Sequence, residues 1–238
     1  MKETDAIFEN VHKANKLSDE SEGVLRLSLD AKANVNAGPF SRGGHSRQRE
    51  DASDHDFAPD TILKLFGIFL PAHDETYLYF TESNITADFI VDALEELWSS
   101  LKKRFELHTL VLNLDNGPEN SSRRTQFIKR IVDFAQREHI DINLVYYPPY
   151  RSKHNPVERV WGILEKHWNG EILYSVEKVL GLASSMKWNG KNPAARLVKG
   201  IYERGKKLSK KIMNRYEEMI ERTEGIEDWN VNIMCFSD

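Results

Sequence analysis

The chain has 238 residues, enough for one large domain or for one domain with an extension. Its composition, 40% hydrophobic and 29% charged, excludes an intrinsically disordered protein, and no apolar run approaches the roughly 20 residues of a membrane span. The start of the chain is polar and unlike a signal peptide, and the single cysteine, Cys235, excludes an internal disulfide and a cysteine-built zinc site, so we expect a cytoplasmic protein.

The first half of the chain predicts a strand, a hairpin and a helix. Residues 1–22 are polar without a clear period and are interpreted as a lead-in segment. Val24–Asp30 alternates between apolar and polar residues, which is typical of a half-buried strand that ends at Asp30. Thr61–Leu70 and Thr76–Phe80 are β-prone runs separated by PAHDE, which predicts a hairpin. Apolar residues at helical spacing then predict a helix over Ala87–Phe105.

The second half predicts two further strands, each followed by a helix. Leu110–Leu114 is short and strongly apolar, as in the centre of a sheet. Thr125–Glu138 is an amphipathic helix, and Ile140–Tyr147 is the next strand. Beyond two prolines, Asn155-Pro156-Val157-Glu158 opens another helix, and the remainder to about Ile226 is predicted to be helical.

This order of elements is three antiparallel strands followed by two crossover units, which predicts a ribonuclease-H-like α/β fold. We expect a mixed five-stranded sheet flanked by helices, with a helical, basic C-terminal extension. The predicted division is a lead-in segment over 1–22, a catalytic domain over 23–170, and the extension over 171–238, packed on the catalytic domain.

Charge is distributed unevenly along the chain. The net charge of −4 argues against a nucleic-acid-binding protein when taken as a whole. Between Lys187 and Arg215, however, ten Lys or Arg residues stand against one acid, Glu203. Because local charge decides where a polyanion docks, this segment predicts a basic surface.

Three acids lie at the ends of predicted elements, and such a set can hold two divalent cations. Asp115 follows a strand, where ligands gather in α/β sheets, although Asp-Asn-Gly-Pro is also ordinary turn chemistry. Glu158 lies in the first helical turn, where Asn155 and Pro156 would also make it part of a capping box that needs no metal. Asp30 by itself is more often a solvated residue, but neighbouring strands would let it share a cation with Asp115.

Three sequence blocks carry a family resemblance: LSLDAKANVNAGPFSRGG, LNLDNGPEN and YYPPYRSKHNPVERVWG. They resemble the DDE transposases of the ISAzo13 group of bacterial insertion sequences, a relative of the wider IS630/Tc1/mariner set. The likeness extends from about residue 5 to about residue 225. The third block is the most specific, because the third acid of that wider set commonly lies in an Asn-Pro-Ile/Val-Glu-x-x-Trp context.

The resemblance implies that Asp30, Asp115 and Glu158 are a catalytic, metal-binding triad for two Mg²⁺ ions, with Mn²⁺ as a substitute. Hard cations need ionised carboxylates, so none of the three acids needs a raised pKa, and we expect their oxygens to converge on one cleft. The implied function is metal-dependent cleavage of DNA phosphodiesters and strand transfer during transposition. The candidates for contacts with the DNA backbone are Arg151, Lys153, Lys206, Lys207, Lys210 and Lys211.

The implied partner is double-stranded DNA, as transposon ends and target, with no membrane, a possible homodimer, and a place at the prokaryotic nucleoid. Transposases of this type usually carry an N-terminal helix-turn-helix region. The first predicted strand begins near residue 24, so we expect an excised catalytic core or a truncated product with little sequence preference.

Two other hypotheses stay open. One is a ribonuclease-H-like nuclease that uses the same metals without strand transfer, and the other is an inactive, transposase-derived DNA-binding module. A nucleotide-binding loop at GPFSRGG is discounted, because the segment lacks the Gly-Lys-Ser/Thr ending of such loops.

Overall fold

The computed structural model describes residues 2–38, 61–148 and 154–236. Most of the GPFSRGG segment and the candidates Arg151 and Lys153 therefore lie outside the described residues. Among the helices in these ranges, none is both long and apolar enough to cross a bilayer.

The described ranges contain eight strands and six α-helices. The strands are β1 Val24–Ala37, β2 Thr61–Leu70, β3 Glu75–Thr81, β4 Thr109–Leu114, β5 Asp141–Tyr146, β6 Ala194–Leu197, β7 Ile220–Arg222 and β8 Asn230–Ile233. The helices are α1 Lys2–Glu20, α2 Ala87–Leu101, α3 Thr125–Glu138, α4 Val157–Trp168, α5 Val176–Ser185 and α6 Lys210–Glu217.

All eight strands form one mixed sheet in the order β6-β3-β2-β1-β4-β5-β8-β7. The first three strands pair antiparallel, whereas β4 lies parallel to β1 and β5 lies parallel to β4. This central arrangement is the predicted one, with α2 and α3 as the crossover helices. The parallel strands β1, β4 and β5 have their carboxyl ends on the same side of the sheet. The acids were expected at these strand ends.

The C-terminal extension differs from its prediction as a helical segment. It contributes α5 and α6, but also β6 beside β3, β8 beside β5, and β7 at the outer edge, so the sheet has eight strands rather than five. These three strands have only three or four residues each, too few for a period of two to be visible. They form because the edges of the central sheet supply hydrogen-bonding partners.

Residues 2–20, within the segment interpreted as a lead-in, form a helix packed on the sheet, which the sequence pattern did not predict. Ile7 and Val11 are buried against Val111, Val145 and Tyr147 of β4 and β5 and the residue that follows. The apolar stripe of α1 is only about one residue per turn, which explains why the sequence pattern did not indicate a helix.

Helices cover both faces of the sheet. On one face α2 and α3 pack on the odd-numbered residues of β1, which are Leu25, Leu27 and Leu29. On the other face α4 and α5 pack over β1, β2 and β3, while α1 covers β4 and β5. Because this second face is covered, Arg26, Ser28 and Asp30 are at most 9% exposed, and the interpretation of Val24–Asp30 as a half-buried strand is wrong.

Candidate active site

Asp30 lies within β1 rather than at its end, since the strand continues through a register shift after Lys32 to Ala37. Its side chain is only 6% exposed. Its Oδ2 accepts a 2.8 Å hydrogen bond from the indole Nε1 of Trp161 on α4. A buried carboxylate needs such a donor, because burial otherwise removes the water that would solvate its charge.

Trp161 reaches Asp30 because the neighbouring position of β2 is a glycine. Gly67 pairs with Asp30 across the two strands. A Cβ atom at Gly67 would lie 2.3 Å from Cη2 of Trp161 and 3.2 Å from Cγ2 of Val157. The absence of a side chain at Gly67 therefore allows α4 to lie directly on the sheet beside the acid.

Asp115 is the first residue after β4, which is parallel to β1 and directly beside it. Its Oδ1 accepts hydrogen bonds from the backbone N–H of Gly117 at 3.1 Å and from Nδ2 of Asn120 at 2.8 Å. Asn116 adopts a left-handed φ of 58°, and the hydroxyl of Tyr146 holds the backbone of Asn120 with a 2.9 Å bond. The turn chemistry of DNGP is thus present, and it orients the carboxylate.

Glu158 lies in the first turn of α4, and its backbone N–H donates to the carbonyl of Asn155 at 3.0 Å. The start of this helix is fastened to β1. The Asn155 side chain donates to the Leu29 carbonyl at 2.9 Å, and the Ser28 hydroxyl both donates to Asn155 Oδ1 and accepts from the N–H of Val157. This clamp fixes the position of Glu158 relative to the strand that carries Asp30.

The proposed capping box at Glu158 is not formed. The N-cap of α4 is Pro156, without any side-chain cap, and the Asn155 side chain is turned away to bind β1. The spacing alone predicted a cap, but the side chain of Asn155 is buried and forms its hydrogen bond with the carbonyl of Leu29 on the sheet. A buried polar group needs such a partner, because water cannot reach it. Capping therefore does not explain an acid at position 158.

The pKa of Asp30 depends on the charges of the two other acids. The pKa of Asp30 is raised from 3.8 to about 7: burial raises it most, the hydrogen bond from Trp161 lowers it, and the charges of Asp115 and Glu158 also raise it. A raised pKa was not required of any of the three acids, but the pKa of Asp30 is raised. Its carboxylate is destabilised by burial and, to a smaller degree, by the two other acids of the predicted triad.

The sequence matches the family described as the Rhodopirellula transposase DDE domain over residues 1–235. The chain belongs to this transposase DDE domain family. No curated protein matches it. Among solved structures, a Mos1 transposase paired-end complex with the left transposon end is similar, with a TM-score of 0.50 at 11% identity over 74% of this chain and 51% of that chain. The ribonuclease-H-like fold prediction is thereby confirmed.

Two further Mos1 structures are more distant matches. They are the Mos1 strand transfer complex, with a TM-score of 0.45 at 12% identity, and the Mos1 mariner paired-end complex with Mn, with a TM-score of 0.43 at 14% identity. They cover 75% and 74% of this DDE domain, and 51% of each Mos1 chain. The chain therefore spans about half the length of the Mos1 chains that it matches.

The donor chemistry around Asp30 fits a hard divalent cation. Asp30, Asp115 and Glu158 offer only oxygen ligands, and Oδ1 of Asn120 is a buried oxygen without a hydrogen-bond partner among the described residues. A Cβ atom at Gly117 would lie 3.1 Å from Oδ2 of Asp115 and 3.3 Å from that Asn120 oxygen, so the glycine leaves open space beside both. In the described ranges no three His, Cys, Asp or Glu side chains are gathered closely enough to hold a metal ion as they stand. A cation would have to draw the mutually repelling carboxylates together.

The basic candidates of the C-terminal extension have different surroundings. Lys206 forms a 2.8 Å ion pair with Asp88 at the start of α2, and this partner raises the pKa of the lysine. Lys207, Lys210 and Lys211 are exposed, the last two in the first turn of α6. Lys206 thus fastens the extension to α2, whereas the three other lysines face solvent.

Sequence reasoning missed the residues that support the acids. Trp161 appeared only as the last residue of the Glu-x-x-Trp context of the family, and Gly67 only as part of a β-prone run. Both left a signal, since a glycine inside an apolar strand indicates a close approach and the Glu-x-x-Trp spacing is part of the family motif. Asn120 and Ser28 left none, because their roles depend on residues far away in sequence.

Proposed function

We propose that this DDE domain cleaves phosphodiester bonds of double-stranded DNA and transfers the resulting strand, with Asp30, Asp115 and Glu158 as its catalytic, metal-binding acids. The observation that carries the proposal is electrostatic. Burial raises the pKa of Asp30, and the charges of Asp115 and Glu158 raise it as well. Carboxylates that serve only the fold are usually paired with Lys or Arg. A buried carboxylate that lies near two other carboxylates therefore indicates a cation-binding site.

The implied cofactor is Mg²⁺ or Mn²⁺, whose chemistry is to polarise the phosphoryl oxygens and to offset charge on the attacking and leaving oxygens. Water, or a DNA 3′-OH, attacks phosphorus in line, and the bond from phosphorus to the leaving 3′ oxygen breaks. The chain itself supplies three carboxylates. Trp161, Asn120 and the Gly117 amide hold two of them in place, which limits the reorganisation needed during the reaction.

Because the pKa of Asp30 is raised, a proton and a divalent cation compete for its carboxylate near neutral pH. Near neutral pH Asp30 holds a proton for part of the time, and a bound divalent ion would displace it. Cleavage should therefore require more metal at pH 6 than at pH 8.

The test is nicking of a supercoiled plasmid in Mg²⁺ or Mn²⁺ by the wild type and by Asp115→Asn. An asparagine keeps an oxygen that can accept from Gly117 and Asn120, so the turn is preserved while the anionic ligand is lost. The matched control is Asp74→Asn. Asp74 also accepts two hydrogen bonds through Oδ1, from Trp188 at 2.9 Å and from Asn189 at 3.0 Å. It lies after β2, which is antiparallel to β1, and is therefore at the opposite ends of the strands from Asp115.

Loss of nicking in Asp115→Asn, with wild-type activity in Asp74→Asn, supports the proposal. Equal activity in all three proteins would remove Asp115 from the mechanism. If the wild type nicks DNA but does not join pre-cleaved 3′ ends to a target, the domain is a nuclease without strand transfer. If the wild type binds DNA without nicking in either metal, it is an inactive binding module.

A further inference from the structure

The side-chain oxygen of Asn120 has no donor bound to it among the described residues. The side chain is only 6% exposed, and its Oδ1 is fully buried. A buried acceptor that is left unpaired destabilises the fold, because it has lost its hydrogen bonds to water. Such an atom in a native protein indicates that a water molecule or a cation binds to it.

The other half of the same amide shows which way the oxygen points. Nδ2 of Asn120 donates a 2.8 Å hydrogen bond to Oδ1 of Asp115. Rotating the amide by half a turn would place its oxygen against the carboxylate oxygen, and neither atom could donate. The nitrogen therefore belongs on the Asp115 side, and Oδ1 is the atom left unpaired.

The sheet holds the backbone of Asn120 independently of Asp115. The carbonyl of Asn120 accepts a 2.9 Å hydrogen bond from the hydroxyl of Tyr146, which is buried at the end of β5. The N–H of Asn120 donates to the carbonyl of Gly117 at 3.3 Å. The amide thus approaches the carboxylate from a fixed backbone, which limits the ordering needed to bind a ligand.

The oxygens of Asn120 and Asp115 face a common space beside Gly117. A Cβ atom at Gly117 would lie 3.1 Å and 3.2 Å from the two carboxylate oxygens of Asp115 and 3.3 Å from Oδ1 of Asn120. Because glycine has no side chain, it leaves this space open. All three residues line a cleft of about 480 Å³, from which a cation can approach. Oxygen atoms grouped in this way are ligands for a hard cation.

A second asparagine has the same unpaired oxygen in different surroundings. Asn230 on β8 is also 6% exposed, and its Oδ1 is likewise buried without a partner among the described residues. Its Nδ2 donates a 2.8 Å hydrogen bond to Oγ1 of Thr223, a neutral hydroxyl. Asn120 differs because its amide is bound to a carboxylate, and Asn230 is therefore a matched control.

We propose that Oδ1 of Asn120 is a ligand of the divalent cation held by Asp115, so that this amide adds a neutral oxygen ligand to the three acids. The inference rests on the proposed function, because it takes a cation to bind at Asp115. One side chain then orients the carboxylate through its nitrogen and binds the cation through its oxygen. A neutral ligand completes the coordination without adding to the repulsion among the acids.

The test measures Mn²⁺ binding rather than cleavage, from the electron paramagnetic resonance signal of free Mn²⁺ at pH 8 without DNA. The proteins are the wild type, Asp115→Asn, Asn120→Ala and Asn120→Asp. Asp115→Asn identifies the binding that belongs to this site. The controls are Asn230→Ala, which removes a buried amide, and Asn214→Asp, which adds a charge at an exposed position of α6. Thermal melting checks that each variant is folded.

We expect Asn120→Ala to weaken Mn²⁺ binding at Asp115 by about tenfold or more. Asn120→Asp should bind Mn²⁺ at least as tightly as the wild type, because it keeps a ligand oxygen and adds a negative charge. An ionised aspartate cannot donate to Asp115, so a residue that only orients Asp115 would lose its role in both variants. The two controls should bind Mn²⁺ like the wild type.

Equal weakening in Asn120→Ala and Asn120→Asp would overturn the proposal, because only the Nδ2 donor would then matter. Wild-type Mn²⁺ affinity in Asn120→Ala would overturn it as well, and the buried oxygen would then bind a water molecule. If that result accompanies lost binding in Asp115→Asn, the proposed function stands and only the additional ligand is removed. Wild-type affinity in Asp115→Asn would instead contradict the proposed function.

Gly117→Ala tests the same space without changing either ligand side chain. Its Cβ atom would occupy the position that the three oxygens face, at 3.1–3.3 Å from each. We expect Mn²⁺ binding to weaken by about tenfold or more. Unchanged affinity in this variant would show that the cation does not lie between Asp115 and Asn120, and would overturn the proposal.

Discussion

The indole nitrogen of Trp161 donates a 2.8 Å hydrogen bond to Oδ2 of Asp30, a residue 131 positions earlier in the chain. The bond joins the helix that carries Glu158 to the strand that carries the first acid. It also opposes the burial of Asp30, since it lowers a pKa that burial raises. A single side chain thus sets both the position and the protonation of the carboxylate.

Replacing Trp161 by Phe tests this relationship, because the N–H donor is removed while an aromatic ring remains at this position of α4. A hydrogen bond to a charged group contributes about 1.5–3 kcal/mol. We therefore expect the pKa of Asp30 to rise, and nicking to require about tenfold more Mn²⁺ at pH 7. Trp168→Phe is the control, since it removes a 2.8 Å bond to Glu165 on the same helix. An equal metal requirement in both variants would contradict the role of Trp161.

The glycine beneath Trp161 leads to a second prediction. Gly67→Ala would place a Cβ atom 2.3 Å from the Trp161 ring, so α4 would have to move. We expect a lower melting temperature and at least a tenfold loss of nicking, as overpacking in a core costs about 1–3 kcal/mol. The control is Gly162→Ala on α4, where nothing lies within 4 Å of the added atom. It should be stabilised by up to about 1 kcal/mol, because alanine favours helix. A fully active Gly67→Ala protein would show that the close approach is unnecessary.

Sequence reasoning succeeded where the pattern is local. The apolar run of β4 followed by Asp-Asn-Gly-Pro located Asp115 at the correct end of the strand, and the spacing of Phe127, Ile131 and Phe134 gave α3 its observed bounds. It failed where contacts with residues distant in sequence determine whether a side chain is buried. Asp30 was expected at a strand end on a polar face, but α1 and α4 bury that face.

The same limit explains the C-terminal extension. Strands β6, β7 and β8 exist because the edges of the central sheet accept them, and a run such as Ala194–Leu197 contains no strand signal of its own. The supporting contacts of the site follow the same rule, since Ser28, Asn155 and Asn120 act through partners that only the folded chain brings near.

The raised pKa of Asp30 predicts how stability depends on pH in EDTA. Its folded pKa of about 7 exceeds the reference value of 3.8. The stabilisation from the bound proton is therefore full below about pH 4 and is lost as pH rises through 7. The difference between these two pKa values corresponds to ~4 kcal/mol. Thermal melts should show Asp30→Asn gaining on the wild type between pH 5 and pH 8, whereas Asp74→Asn should follow the wild type throughout.

Millimolar Mn²⁺ should narrow that difference at pH 8. A cation that binds only the folded wild type stabilises it by ligand linkage, about 2.7 kcal/mol at a hundredfold excess over Kd. Asp30→Asn should gain less. A pH-independent gap between the two proteins in EDTA would show that Asp30 is ionised normally.

The exposed lysines of the extension should act on DNA differently from Lys206. Changing Lys207, Lys210 and Lys211 together to Gln should weaken binding to all sequences alike and reduce the salt slope, by about 0.9 for each phosphate that a lysine no longer neutralises. Lys206→Gln should instead lower the melting temperature slightly, because its partner Asp88 is left without that ion pair. An unchanged salt slope in the triple variant would identify these lysines as an ordinary solvated surface.

Glu158→Gln separates catalysis from helix stability. The side chain of residue 158 is not needed as a cap, since α4 begins without a side-chain cap and is held to β1 by Ser28 and Asn155. The variant should therefore melt within about 1 °C of the wild type, because surface substitutions away from structural contacts change stability by less than about 0.5 kcal/mol. Plasmid nicking should nevertheless fall at least a hundredfold, because a neutral amide cannot replace the anionic ligand. Glu218→Gln, an exposed acid after α6, is the matched control and should keep both properties. Retained nicking in Glu158→Gln at a wild-type melting temperature would show that the third acid of the site lies elsewhere.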